Sequence, residues 1–392
     1  MRRLAPLTLV MVIFVAGACG SGGGRSTKVV PKSKNPSGGA SAEIVLKSKQ
    51  PIVALALRGS DIAWLEEGDL ESATPFSLWL QASGKKERLP LQSSSDGFCD
   101  NFEQAKIELD HGVVGWYVHT RCGNTGSIDV GASSAQPPMA AVPESEGTDE
   151  DAYPGVGQHI TGVAAANGAV YWATTSIDYD VNPPPEEDFC DQDPTIATSC
   201  ETWISGGSIR KWKDGNAIKV DGFPPAAALA GDGRQIAIAT WPRGPRGHGD
   251  YPPLGEVVVL GFGEQIVARV QLPKAARRDW INVELALSQR LLAVSCSGGV
   301  WIYELPSGRL VRWLDIGPAS IALTQNRLVT WGSNGIWTTD PASGRRTRIA
   351  TATVARDASE EGITAVAADG DRLAWARTDS DGHSIVKIIR VN

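Results

Sequence analysis

The sequence lacks an excess of positive charge, and it lacks an apolar run long enough to cross a membrane. Its 37 lysines and arginines are outnumbered by 44 aspartates and glutamates, giving a formal net charge of −7, so no global basic field favours nucleic acid. The longest apolar run, residues 4–18, is interrupted by Pro6 and Thr8. Because a membrane-spanning helix needs about 20 apolar residues, the sequence predicts neither nucleic-acid binding nor a membrane span.

The sequence also lacks the local motifs of the common catalytic classes. It has no Gly-x-Ser-x-Gly, no phosphate loop, no His-Glu-x-x-His and no Cys-x-x-Cys. These patterns place a nucleophile, phosphate-binding amides, zinc ligands or redox thiols, respectively. Its five histidines are scattered along the chain. The sequence therefore predicts a non-catalytic protein without a cofactor or a metal.

The N-terminal residues have the order of an export signal. Arg2 and Arg3 precede the apolar run, and small residues follow it. The segment Val15-Ala16-Gly17-Ala18-Cys19-Gly20 resembles the lipobox of bacterial lipoproteins, with Ala16 where leucine is commoner. This resemblance implies that Cys19 is acylated and holds the mature protein on the extracytoplasmic side of the cell membrane or the outer membrane. An ordinary secretory signal that contains a cysteine stays open.

The segment that follows is predicted to be a flexible linker. It is rich in Gly, Ser, Pro and Lys and contains no aromatic residue, so it cannot bury enough apolar surface to fold. Its four basic residues, without an acid, favour contact with anionic lipid, and a plain solvated linker is the alternative. The sequence thus divides into a signal peptide at 1–18, a lipidated linker at 19–41 and a folded domain at 42–392.

Five cysteines remain after Cys19, an odd number that leaves at least one outside an intramolecular disulfide. Proximity in the sequence favours disulfides between Cys99 and Cys122 and between Cys190 and Cys200. Cys296 lies in an apolar stretch, where a buried thiol that packs as a small hydrophobic residue is expected.

From about residue 50, the sequence repeats one pattern: an apolar strand of small residues, a tight turn, and a second strand that ends near tryptophan. The seven copies are residues 52–64, 107–116, 160–172, 228–238, 283–294, 321–331 and 363–375. Second hairpins with a Ser-Gly turn follow some copies, as at 78–84, 300–308 and 336–344. Four short strands in a unit of about 50 residues are typical of a propeller blade.

This rhythm resembles the WD-type and TolB-like propellers of the bacterial envelope, although the Gly-His and Trp-Asp signatures of true WD repeats are absent. It predicts an all-β fold, a β-propeller of seven four-stranded blades. The last unit holds three strands, and we expect the N-terminal strand at 42–47 to pair with it and close the ring. Six blades or a pair of β-sandwiches are the alternatives.

The long segments between strands are predicted to share one face of the propeller, where binding usually occurs. Two of them are acidic, at 144–151 and 178–193, and a solvated surface is the favoured interpretation over a calcium site. Arginines in other segments of this face can bind an acidic partner through bidentate hydrogen bonds. The candidate binding residues are Asp178, Asp180, Glu186, Glu187, Asp188, Arg243, Arg246, His248, Tyr251, Arg277 and Arg278.

The main functional hypothesis is a monomeric, membrane-anchored platform that binds another envelope protein without catalysis. The first alternative is a sensor for a small ligand or cation at the axial mouth, with Glu108 and Glu284 of the innermost strands as candidates. The second is a hydrolase of the propeller lactonase kind, which needs a metal held by axial carboxylates or histidines.

Overall fold

A computed structural model describes residues 42–68, 76–91, 101–122, 125–135, 138–140, 144–149, 157–181, 200–241, 247–248, 254–273, 283–296, 299–316, 319–332, 334–351, 355 and 361–391. Of these, only the backbone is described at 101–103, 121–122, 125–128, 138–140, 144–149, 157–159, 177–181, 200–205 and 247–248. All of them belong to a compact unit at Ala40–Asn392. Across these ranges, no helix is long and apolar enough to cross a membrane. The predicted signal peptide and linker lie outside the described residues.

The described strands form seven antiparallel sheets, the blades of a propeller. Blade 1 contains β2 (Ile52–Arg58), β3 (Asp61–Glu67), β4 (Phe76–Ala82) and β5 (Lys85–Leu89). Blade 2 contains β6 (Asn101–Asp110), β7 (Val113–Cys122), β8 (Thr125–Ala135) and β10 (Glu144–Asp149), with β9 (Pro138–Ala140) beside β8. Blade 3 contains β11 (Gly157–Ala166), β12 (Ala169–Val181), β13 (Cys200–Lys213) and β14 (Asn216–Val220), with β17 (Gly247–His248) beside β13.

The other four blades have the same order from the axis outward. Blade 4 contains β15 (Ala226–Gly231), β16 (Ile236–Thr240), β18 (Glu256–Leu260) and β19 (Ile266–Gln271). Blade 5 contains β20 (Glu284–Leu287), β21 (Leu291–Cys296), β22 (Gly299–Glu304) and β23 (Arg309–Leu314). Blade 6 contains β24 (Ser320–Leu323), β25 (Leu328–Gly332), β26 (Gly335–Thr339) and β27 (Arg346–Ala350). Blade 7 contains β28 (Gly362–Asp369), β29 (Arg372–Thr378), β30 (Ser384–Arg390) and the N-terminal β1 (Glu43–Ser48).

The predicted all-β fold of seven blades is confirmed, and each of the seven repeats coincides with the first two strands of a blade. The predicted closure is confirmed as well. β1 pairs antiparallel with β30, with Glu43 opposite Ile388 and Ser48 opposite Ser384. The first and last strands of the domain therefore complete one sheet.

The hydrophobic core lies between the blades. Its seven clusters of buried side chains each join two neighbouring blades, so every interface of the ring has its own cluster. Trp64, Trp116 and Trp172, near the ends of the repeats, are almost fully buried, which supports interblade packing as their role. Cys296 is fully buried between blades 4 and 5, as expected.

Two segments that were expected to be loops are partly strands. Residues 144–149 form β10, which pairs with β8, and β12 continues through Asp178 and Asp180 to pair with β13. Antiparallel pairing is made by the backbone, so acidic residues extend a strand where their side chains do not have to enter the core. The two acidic runs therefore lie partly on strand ends.

The two faces of the ring differ in their connections. The face that carries the hairpin turns, which we name the turn face, has short turns at 59–60, 83–84, 111–112, 167–168, 214–215, 233–234, 261–265, 289–290, 305–308, 325–326, 340–345 and 370–371. The opposite face, which we name the long-segment face, lies at the other ends of the strands, where for example β3 ends and β4 begins. β1 runs antiparallel to β30, and β30 ends at the turn face, so the N-terminal end of β1 lies at the turn face.

Removal of β1 is expected to destabilise the ring. A chain that begins at residue 49 exposes the edge of β30 and loses the packing of Val45 and Leu46 against blade 1. Compared with a chain that begins at residue 42, we expect a thermal unfolding midpoint about 5–10 °C lower and a greater tendency to aggregate. Differential scanning calorimetry checks this, and equal midpoints for the two chains would contradict closure by β1.

Candidate functional site

The innermost strands of the blades surround a central channel with a cavity of about 1340 Å³. Six of the inner strands line it along most of their length, whereas blade 3 contributes only residues 160–162. The turn end of the inner strand of blade 3 instead contacts blade 4, where Ala166 and Gly233 form a parallel bridge. The channel is the candidate functional site of the described residues.

The hairpin turns fix a common register for the seven inner strands, and residues two apart on a strand share one face. The last residues before the turns form a turn ring: Arg58, Asp110, Ala166, Asp232, Ser288, Thr324 and Asp369. Two residues earlier lies the middle ring: Ala56, Glu108, Ala164, Ala230, Ala286, Ala322 and Ala367. Two earlier again lies the third ring: Ala54, Lys106, Gly162, Ala228, Glu284, Ser320 and Ala365.

The middle ring is alanine in six blades and glutamate in one. Small side chains such as alanine fit where the blades converge on the axis. Glu108 is the exception among the seven blades at this position. In the third ring, Lys106 and Glu284 depart in the same way, from blades 2 and 5. Both axial candidates from the sequence, Glu108 and Glu284, therefore line the channel, whereas Lys106 was missed. Alignment of the repeats on their turns carries the signal that identifies it.

Lys106 crosses the channel from blade 2 to blade 4. Its Nζ donates a hydrogen bond to the backbone oxygen of Leu229 at 3.0 Å and lies 3.3 Å from Glu108 Oε1. Burial nevertheless raises the pKa of Glu108 above its ordinary value of 4.5, against the attraction of Lys106 and Arg58. The carboxylate is thus only partly compensated by the cations beside it.

Glu284 faces the channel from blade 5. Its Oε1 accepts a hydrogen bond from Ser320 Oγ at 3.1 Å, and its Oε2 accepts one from the backbone N–H of Ile321 at 3.0 Å. Water reaches this side chain, yet the walls of the channel enclose it. This enclosure raises the pKa of Glu284, and the two hydrogen bonds and Lys106 oppose the rise.

Arg58 connects several blades at the turn end of the channel. Its Nη1 lies 2.7 Å from Asp369 Oδ1 of blade 7, and its Nε lies 3.6 Å from Asp110 Oδ1 of blade 2. Its guanidinium also lies against Gly233 of blade 4, where a Cβ would overlap it. Asp110 Oδ2 in turn accepts a hydrogen bond from the backbone N–H of Gly168 of blade 3 at 2.7 Å. One arginine and its partners therefore link five blades across the axis.

The two carboxylate oxygens of Asp232 differ in their hydrogen bonding. Its Oδ1 accepts hydrogen bonds from the backbone N–H groups of Arg234 and Gln235 at 2.8 and 2.7 Å. Its Oδ2 is buried and has no hydrogen-bond partner among the described residues. Burial raises the pKa of Asp232, and the N–H groups and Arg58 oppose the rise. A buried carboxylate oxygen without a partner is costly, so this oxygen is suited to a donor from outside the chain.

The titratable groups that line the channel are mostly acidic. Six carboxylates face three cationic side chains there, a net charge of −3 with His111 neutral; the carboxylates are Asp61, Glu108, Asp110, Asp232, Glu284 and Asp369, and the cations are Arg58, Lys106 and Arg234. Low-dielectric walls focus such a field and attract small cations.

The described residues contain one group of acidic and histidine side chains close enough to share a metal ion, Asp379, Asp381 and His383. This group is exposed on the β29–β30 connection, where Asp379 Oδ1 accepts backbone hydrogen bonds from Asp381 and His383. It forms a turn and lies outside the channel. The lactonase alternative, which needs axial metal ligands, therefore gains no support from the described residues.

The remaining predicted residues are placed only in part. The backbone locates Asp178 and Asp180 in β12, Cys122 at the end of β7 and Cys200 at the start of β13, and it pairs His248 with Glu201. The others lie outside the described residues: Cys19, Cys99, Glu186, Glu187, Asp188, Cys190, Arg243, Arg246, Tyr251, Arg277 and Arg278. The proposed disulfides and the loop surface stay predictions.

The fold and the channel define the class of this protein as a seven-bladed β-propeller. No protein-family model matches the sequence, and no curated protein matches it. Among solved structures, it is similar to the acylaminoacyl peptidase of Pyrococcus horikoshii (12% identity, TM-score 0.41, 84% of this chain and 49% of that one). Similar values hold for an acylaminoacyl peptidase in complex with Z-Gly-Gly-Phe-chloromethyl ketone (12% identity, TM-score 0.42, the same coverage).

A third similar structure is the AfRom2 CNH domain, with 10% identity and a TM-score of 0.39 over 90% of this chain and 99% of that one. The chain spans about half the length of the two peptidases. At these identities, the comparisons concern the fold alone.

The raised pKa of Glu108 predicts how its replacement changes stability with pH. Above pH 4.5, the folded state holds the proton more tightly than the unfolded chain, so ionisation lowers the free energy of unfolding as the pH rises. Glu108→Gln removes this loss. We therefore expect its free energy of unfolding, relative to the original chain, to increase from pH 4.5 to neutral pH in urea titrations.

Glu108→Asp is the matched control, because it keeps a carboxylate at the same position and should keep the pH dependence. A difference between Glu108→Gln and the original chain that is constant or falls with pH would show that burial does not dominate at Glu108.

Proposed function

We propose that this protein is an extracytoplasmic lipoprotein, anchored through acylated Cys19, whose propeller binds another envelope protein without catalysis. One observation supports the proposal: the N-terminal end of β1 lies at the turn face, so the chain enters the domain on the side opposite the long-segment face. A partner approaching from the aqueous side meets the long segments first. The rigid interblade core beneath them is typical of a binding scaffold.

Crosslinking in intact cells, followed by purification and mass spectrometry, tests the platform. We compare the original protein with a long-segment variant in which Arg243, Arg246, Arg277 and Arg278 are alanine. We expect one stoichiometric envelope protein with the original chain, and we expect its loss in the variant because the charged contacts are removed.

The matched control removes four exposed basic side chains from the turn-face ends of outer-blade strands, with Lys85→Ala, Lys86→Ala, Arg309→Ala and Arg390→Ala. It should retain the partner. Recovery of the protein alone, or equal recovery of the partner from both variants, would contradict a contact surface on the long-segment face.

A second candidate function, a sensor for a small cation, is favoured by the departures from alanine in the channel. Glu108 and Glu284 stand where most blades place small residues, and Asp232 Oδ2 is without a partner among the described residues. Together with the net charge of −3 of the lining groups, they suit an organic ammonium group, which donates several hydrogen bonds from one charged centre.

Calorimetric titration tests this candidate with two probes, putrescine and calcium chloride. We expect putrescine to bind at one site, with about a ten-fold loss of affinity in Glu108→Gln, because a charge-assisted hydrogen bond becomes a neutral one. Glu43→Gln, on the exposed start of β1, is the control. Saturation by calcium instead would indicate a metal site, and no heat with either probe would contradict the sensor function.

A further inference from the structure

The turn face carries most of the exposed apolar residues of the described chain. Of the seven large apolar side chains that are strongly exposed, four lie in a turn of this face or within the first two residues of the outer strand that follows it: Phe262, Ile266, Val267 and Leu310. A fifth, Ile44, is the second residue of β1, whose N-terminal end lies at the same face. Phe262, at the tip of the turn between β18 and β19, is 80% exposed. These residues belong to blades 4, 5 and 7.

The same face is basic on an acidic protein. Among the turns and the strand residues that flank them, seven exposed basic side chains face four exposed acidic ones. The basic residues are Lys85, Arg234, Arg290, Arg309, Arg345, Arg346 and Arg390, and the acidic ones are Glu43, Asp214, Glu304 and Asp371; Glu304 is paired with Arg309. Five of the seven basic residues belong to blades 5 to 7, next to the exposed apolar residues. The whole chain, by contrast, has a net charge of −7.

The side chains around this face include aromatic partners for the arginines. The guanidinium groups of Arg346 and Arg348 lie 4.9 and 4.5 Å from the ring centre of Trp337. Arg312 of blade 5 donates hydrogen bonds to the backbone oxygens of Pro341 and Ala342 in the turn of blade 6. Arg312 thus connects the outer strand of blade 5 to the turn of blade 6.

We propose that the turn face of blades 4 to 7 docks on an anionic lipid surface, with Phe262, Ile266 and Leu310 entering the interface and the arginines contacting headgroups. The proposal rests on the proposed lipid anchor, because the chain that precedes residue 42 joins the domain at this face. Exposed apolar tips surrounded by cationic side chains match the chemistry of a membrane interface, which is apolar beneath and negatively charged above. Docking holds the long-segment face toward the aqueous side.

The test uses the chain from residue 19 with Cys19→Ser, so that no acyl chain contributes, and vesicles of phosphatidylcholine with or without 30 mol% phosphatidylglycerol. We expect sedimentation with the anionic vesicles and little with the neutral ones. An apolar variant, Phe262→Ser, Ile266→Thr and Leu310→Ser, and a basic variant, Arg290→Gln, Arg345→Gln and Arg346→Gln, should each lower the partition coefficient about ten-fold.

The matched control, Lys47→Gln, Arg88→Gln and Lys219→Gln, removes the same charge from the long-segment ends of outer strands and leaves the folded core untouched. It should partition as the original chain does. Equal losses in the basic variant and the control would overturn the proposal, since the net charge alone would then explain binding. Concentration-dependent dimers that only the apolar variant abolishes would also overturn it, because a second copy would then cover this face.

The anchor is tested separately by Cys19→Ala in cells, which should release the protein from the membrane fraction after a high-salt wash. Release together with vesicle binding by the turn face supports both proposals. Release without vesicle binding supports the proposed anchor and contradicts the proposed docking surface. Retention on the membrane after the wash contradicts the proposed anchor, and the vesicle experiment then tests the docking surface by itself.

Discussion

Closure of the ring by β1 is the constraint on which the rest of this structure depends. Every hydrophobic cluster lies between two blades, so no blade buries its faces unless both neighbours are present. The last blade is completed by the first strand of the domain, and that pairing fixes where the N-terminal chain meets the ring. The direction of one hydrogen-bonded strand pair therefore decides which face lies beside the proposed anchor.

The crowded axis explains why a few residues stand out in the channel. Six of seven blades place alanine in the middle ring, whereas blade 2 places Glu108 there, with its carboxylate 3.3 Å from Lys106, which reaches blade 4. Arg58 contributes at the turn end, where it links blades that share no strand pairing. Blades 2 to 4 thus contain both the blade that contributes least to the channel lining and two carboxylates, Glu108 and Asp232, whose charge the nearby cations only partly compensate.

The repeats allowed the blade number, the first two strands of every blade and the closing strand to be predicted, because small apolar residues and short turns recur at a fixed spacing. The axial position of Glu108 and Glu284 followed from the same register. Alignment of the repeats on their turns places Lys106 at the axis, but its contact with Leu229 and that of Arg58 with Gly233 cannot be predicted, since these partners are far away in sequence. The β-bulges at Val53, Thr161 and Thr364 of the inner strands could not be predicted either, because a bulge depends on local backbone crowding.

We propose that the two faces of the ring have different surroundings, with lipid at the turn face and an aqueous partner at the long-segment face. Hydrogen exchange of the full acylated protein, measured in anionic vesicles and in detergent, tests it most directly. We expect the vesicles to slow exchange at residues 261–267, 305–311 and 340–347 and to leave the connections of the opposite face unchanged. Slower exchange on the long-segment face, or equal exchange everywhere, would contradict this orientation.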